Sequence, residues 1–96
     1  MTNNAQFTHD TDTQRYTMRI GGNLIAAADY VVNGNTVSFT HTFTAPAQRG
    51  KGYAAQVVEF AMNEVETTTT HRVLPMCWYV ADWFDAHPER RNLLVR

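Results

Sequence analysis

The stretch of this chain best suited to holding an anion is Gln48-Arg49-Gly50-Lys51-Gly52-Tyr53-Ala54. Glycine lets a backbone turn tightly and approach a ligand closely. Where such a turn opens a helix, successive N–H groups converge on one point and the helix dipole favours negative charge there. Arg49 and Lys51 add cationic character, so a diphosphate is the natural guest. Two better-known cradles do not fit. Gly52 stands where a Walker loop needs Ser or Thr after its Gly-Lys, and the third glycine of a dinucleotide fingerprint is missing. The plain alternative is a helix start with permissive glycines and no ligand.

A second group could handle nucleophilic or acid–base chemistry. Cys77 is a candidate nucleophile if its thiol pKa is depressed and a base lies near. Otherwise it is a small buried hydrophobe, as free cysteines commonly are. His41 is the candidate base, since histidine titrates near neutral pH. The competing reading makes it a satisfied core residue beside Val37 and Phe39. Tyr79 and Tyr53 are candidate proton donors, or aromatics filling a small core with their hydroxyls at the rim. Asp82 and Asp85 form a solvated helix face or attract a cation. His87 reads as a helix-end residue binding backbone carbonyls, and His9 and His71 as surface or loop residues. The histidines and Cys77 lack zinc-finger spacing, so no metal is expected.

The elements that must position these groups follow from hydrophobic period. The polar segment through residue 13 is either a frayed end or a short edge strand. From Arg15, Tyr16, Met18 and Ile20 alternate with Thr17 and Arg19, the period of a half-buried strand. Gly21-Gly22 signals a hairpin, and Leu24 to Val32 reads as the second strand. Asn33-Gly34-Asn35 turns into a third, Thr36 to Thr44, which alternation gives one face of Val37, Phe39, His41 and Phe43. Ala45-Pro46 ends it. Ala54, Val57, Val58, Ala61, Met62 and Val65 then recur at helical spacing, and the helix ends in the run Thr67-Thr68-Thr69-Thr70. Val73 to Cys77 is a fourth strand, kept from the sheet interior by Pro75. Ala81 to His87 is a short helix burying Trp83 and Phe84, and Pro88 begins a final turn. The pattern predicts an α+β domain in which an antiparallel meander is followed by helix, strand and short helix.

Composition sets the outer limits. At 96 residues the chain is read as a single domain. Its 44% hydrophobic content supports one core. A net charge of −1 argues against a nucleic-acid binder, although Arg90, Arg91 and Arg96 cluster near the end. The single cysteine allows no internal disulfide, and no apolar run approaches the roughly 20 residues of a membrane span. A cytoplasmic protein without membrane partners is expected.

The ordered motifs resemble one family. Arg49-x-x-Gly52-x-Ala54 is similar to the acetyl-CoA signature of the GNAT acetyltransferases. A strand with His41-Thr42-Phe43-Thr44-Ala45-Pro46 before it, then Pro75-Met76-Cys77, a short helix and His87-Pro88-Glu89, resembles the minimal single-domain branch of that family, over roughly Arg15 to Leu94. The resemblance implies a truncated GNAT fold. It also implies acetyl-CoA as cosubstrate, with pyrophosphate on Arg49, Gly50, Lys51, Gly52, Tyr53 and Ala54. The pantetheine arm would pair with the strand edge Thr42-Phe43-Thr44. Cys77 and His41 would stand at the acyl end, and an amine, small or on a protein, would be the acceptor. Relatives often carry proline after the cysteine and tyrosine in the next helix; Trp78 and Trp83 take those places, expected near the acceptor side. Acetyl transfer to an amine is the leading reading. The alternative is a CoA-binding module with little catalysis, because these residues leave no room for the N-terminal helices that build the acceptor pocket in larger GNAT proteins.

Overall fold

The computed structural model describes residues 4–96. Five strands form one sheet in the order β1 (Ala5–Asp10), β2 (Arg15–Ile20), β3 (Asn23–Asn33), β4 (Thr36–Thr44) and β5 (Arg72–Pro75). The first four are antiparallel neighbours, and β5 runs parallel to β4. Helix α1 (Tyr53–Thr68) connects β4 to β5, and α2 (Trp78–Ala86) follows β5. A 3-10 turn at Pro46–Gln48 precedes α1, and another at Pro88–Leu93 follows α2.

The segment with two readings is a paired edge strand from Ala5 on; residues 1–3 lie outside the described residues. Its turn back to β2 is held by Asp10, whose Oδ1 accepts the backbone N–H groups of Asp12 and Thr13. His9 is not a free surface residue. Its ring stacks on Tyr16 and Nε2 lies 2.5 Å from the Tyr30 hydroxyl.

One face of the sheet meets the helices. Tyr16, Met18, Ala26, Ala28, Tyr30, Val37, Phe39 and Val73 share a core with Val57, Val58, Ala61, Met62 and Val65 of α1 and with Val80, Trp83 and Phe84 of α2. Burying each of the larger aliphatic side chains contributes about 1.5–3 kcal/mol. The small Ala26 and Ala28 on β3 let α1 sit close to the sheet.

Some element ends differ from the sequence expectation for local reasons. Helix α1 does end inside the threonine run, at Thr68, where the hydroxyls of Thr67 and Thr68 turn back to the carbonyls of Asn63 and Glu64, four residues earlier. The strand β5 stops at Pro75, and α2 begins at Trp78, three residues earlier than its apolar pattern suggests. Cys77 therefore caps α2; it does not end a strand. Its carbonyl accepts the Ala81 N–H, and its own N–H donates to the Phe39 carbonyl at 2.9 Å. Pro75 does lie on an edge strand, whose outer side pairs only through Val73 with the segment at Leu94 and Val95.

Candidate acyl-transfer site

The loop before α1 has the backbone its glycines permit. Gly50 and Gly52 hold φ of +82° and +80°. Gly52 is the N-cap of α1, and its carbonyl accepts the Gln56 N–H at 3.2 Å, so the N–H groups of the next residues have no partner within the helix ladder. They open toward a pocket of about 230 Å³ lined by Thr44, Gln48, Arg49, Gly50, Gly52, Tyr53, Ala54 and Tyr79. A Cβ placed on Gly50 or Gly52 meets no protein atom within 4 Å. That is the space a close-approaching phosphate needs. Lys51 is turned to Gln48, its Nζ donating to Oε1 at 3.1 Å. Gln48, Arg49, Gly50, Gly52, Tyr53 and Ala54 line this pocket together, and Tyr79 joins them from α2.

The other end of the site is set by strand divergence. Strands β4 and β5 pair from Thr36↔Arg72 only as far as Phe39↔Pro75. Beyond that point β4 has β3 on one side and a gap on the other. Cys77 stands at the head of this gap, half-buried, with Sγ 3.7 Å from the Thr42 hydroxyl. A groove of about 350 Å³ runs there, lined by Thr40, His41, Thr42, Met76, Cys77 and Trp78. Met76 and Trp78 are 64% and 73% exposed, the two most exposed large apolar side chains among the described residues. Both flank the thiol, and exposed apolar groups gathered around one polar atom mark a ligand surface.

One expectation fails here. His41 does not share a face with Val37 and Phe39. Tyr30 pairs with Phe39 and Asp29 with His41, so Thr40 is an extra residue in β4, a bulge. Past it, alternation resumes one step out of phase. Thr42 and Thr44 lie opposite Ala28 and Ala26 on the helix-covered face, while His41 and Phe43 lie opposite Asp29 and Ala27 on the other. His41 is exposed and no core histidine. Of the strand-edge trio, Thr42 touches Cys77, Thr44 lines the pocket before α1, and the Phe43 side chain points to the far face. Trp83 is buried with Phe84, as the helix pattern expects, and does not line the groove. It is 5% exposed, its ring stacks on His87, and the Arg90 guanidinium sits 5.7 Å from its centroid. Arg90 also pairs with Glu66 at 3.0 Å, which occupies one member of the C-terminal basic cluster. His87 binds the Trp83 carbonyl through Nδ1, the helix-end role expected of it.

Burial raises the pKa of Tyr79, so its hydroxyl keeps its proton beside the loop. On the far face, the hydrogen bond from Arg15 to Asp29 raises the Arg15 pKa. Among the described residues no three His, Cys, Asp or Glu side chains gather as a metal site, and no helix is long and apolar enough to cross a membrane.

A sheet whose fourth strand runs through a glycine loop into a helix, with a parallel fifth strand parting from it over a groove, is an acetyltransferase architecture. Residues 15–93 match the family model described as GCN5-related N-acetyl-transferase, and the chain belongs to that family. The fold is similar to that of a predicted acetyltransferase from Clostridium acetobutylicum, crystallised with acetyl-CoA, at a TM-score of 0.54 and 15% identity. The match covers 76% of this chain and 55% of that one. No curated protein matches the sequence.

Proposed function

We propose that this protein transfers an acetyl group from acetyl-CoA to an amine by direct attack. The observation that carries the reading is the continuity of loop, strand edge and gap. Tyr79 and Thr44 line the phosphate pocket, and Thr42, two residues along β4 from Thr44, touches Cys77 in the groove. Pyrophosphate on the N–H groups at the start of α1, pantetheine along Thr42 to Thr44 and thioester at Cys77 follow one line.

The chemistry needs a neutral amine, a polarised carbonyl and a protonated leaving group. His41, exposed at the groove, accepts the ammonium proton. The amine nitrogen then bonds to the thioester carbon. The C–S bond breaks, its electron pair stays on sulfur, and the second amine proton leaves to solvent. The CoA thiolate takes its proton from solvent, since Tyr79 stands at the phosphate end of this line and not at the sulfur. A covalent relay through Cys77 would need a base bonded to the thiol. The side-chain hydrogen-bonding neighbour of Sγ is the Thr42 hydroxyl, and His41 is not bonded to it. We therefore assign Cys77 to lining the acyl end of the groove.

Intact mass spectrometry after incubation with acetyl-CoA and a panel of amines tests this. Acetylated amine without a long-lived +42 Da species, taken as about the mass of one acetyl group on the protein, is the expected result. Retained CoA with no acetylated product across the panel would make the protein a CoA-binding module. No CoA retention at all would sink both readings.

A further inference from the structure

The face of the sheet away from α1 and α2 carries a second cavity, of about 450 Å³, lined by Arg15, Leu24, Asp29, His41 and Phe43. We propose that this cavity seats the acceptor, a small primary amine with an aromatic or alkyl body. The proposal rests on the transferase reading above and extends it to the acceptor's site and class.

Three observations carry it. First, His41 lines both this cavity and the groove at Cys77, and among the described residues no other does. The bulge at Thr40 puts it there, by turning His41 out of the helix-covered face and onto the far one. A base that takes a proton from an incoming amine must face both the amine and the thioester. Second, the cavity has an apolar wall. Phe43 is 39% exposed, and Leu24 is half-buried beside it. The volume is that of a small-molecule site. Third, the polar wall is an ion pair whose carboxylate is partly exposed. Arg15 is held by Asp29, Nε to Oδ1 at 2.6 Å and Nη2 to Oδ2 at 3.2 Å. Asp10 pairs with Arg15 across the β1–β2 ladder and adds a second carboxylate. Arg19, opposite Leu24 across the β2–β3 ladder, offsets Asp10, so the wall is close to neutral, and the Asp29 carboxylate, 31% exposed, is the acceptor that an incoming ammonium meets.

Backbone amide shifts of the full chain, titrated with millimolar 2-phenylethylamine with and without CoA, read the site directly. Shifts at Leu24, Asp29, His41 and Phe43 are expected in both conditions. Shifts confined to Met76 and Trp78, or none, overturn the proposal. Because the titration without CoA does not depend on cofactor binding, its outcome is separate from that of the transferase reading. In turnover, Leu24→Arg narrows the cavity and adds a positive charge. It should raise the KM for the amine about tenfold, while the acetyl-CoA Kd stays within about twofold. An unchanged KM refutes the site. Leu24→Asn, of similar size and without charge, should give an intermediate KM, and a folding defect in either variant is recognised by its circular dichroism. If sedimentation shows instead a dimer that Leu24→Arg dissociates, a second copy covers this face and the proposal is wrong.

Discussion

Gly52 caps α1 at φ +80°, and a Cβ there meets no protein atom within 4 Å. Replacing it by valine therefore has two separable costs. The first is backbone strain, about 1–2 kcal/mol for a side chain held in the left-handed region. In a domain of this size that lowers Tm by about 5–15 °C. The second appears only with ligand, because the new side chain projects toward the space assigned to the pyrophosphate. Displacing the phosphate from the amides at the start of α1 should weaken CoA binding at least about tenfold, about 1.4 kcal/mol. Gly34→Val is the matched control. Gly34 has φ +62°, its Cβ position is equally open, and it sits in the β3–β4 turn away from the pocket. Thermal melts of both variants and calorimetric titration with CoA make the comparison. Both should lose stability, and only Gly52→Val should lose affinity beyond what unfolding explains. Equal affinity in the two variants would falsify the cradle.

Acetyl-CoA at 100 times its Kd should stabilise the protein by about 2.7 kcal/mol, seen as a rise in melting midpoint, and a flat titration at millimolar ligand counts against binding. Cys77 should react with thiol reagents in the free protein and be protected by acetyl-CoA. Cys77→Ala should keep CoA affinity and transfer, so loss of transfer with binding intact would show a catalytic thiol. Stability should hold below the ordinary tyrosine pKa of 10.0 and fall as pH rises above it, because burial raises the folded-state pKa of Tyr16 and Tyr30 while the unfolded chain ionises at the ordinary value. Urea unfolding across that range should show a shallower fall for Tyr16→Phe, and an identical slope would refute the assignment.

Much of the fold was legible in the sequence because its signals are local. Alternation at Tyr16, Met18 and Ile20 named β2, and the spacing of Val57, Val58, Ala61, Met62 and Val65 named α1 and its buried face. The loop Gln48 to Ala54 was legible because φ > 0 at Gly50 and Gly52 is a property of residue type as much as of place. Pro75 announced an edge strand because it cannot donate to a ladder.

The facing of His41 was not legible, and the reason is one residue. Alternation carries no mark of an extra residue in one strand, since a bulge is a relation between β4 and β3. The sequence therefore put His41 with Val37 and Phe39. Only the pairing of Asp29 with His41 and Tyr30 with Phe39 moved it to the far face. The same holds for the partners brought together across the sheet. Arg15, Leu24, Asp29 and Phe43 come from three strands, and no local spacing links them. Trp78 and Trp83 have the same side chain on the same helix. One is 73% exposed beside Cys77 and the other 5% exposed in the core, because five residues turn the helix by about 140° and the Cys77 N–H bond to the Phe39 carbonyl fixes where that helix starts. The sequence by itself determined the elements and the glycine loop before α1, whose causes lie within a few bonds. The tertiary structure decided which face each catalytic candidate occupies, because facing depends on strand register, a property of two strands together.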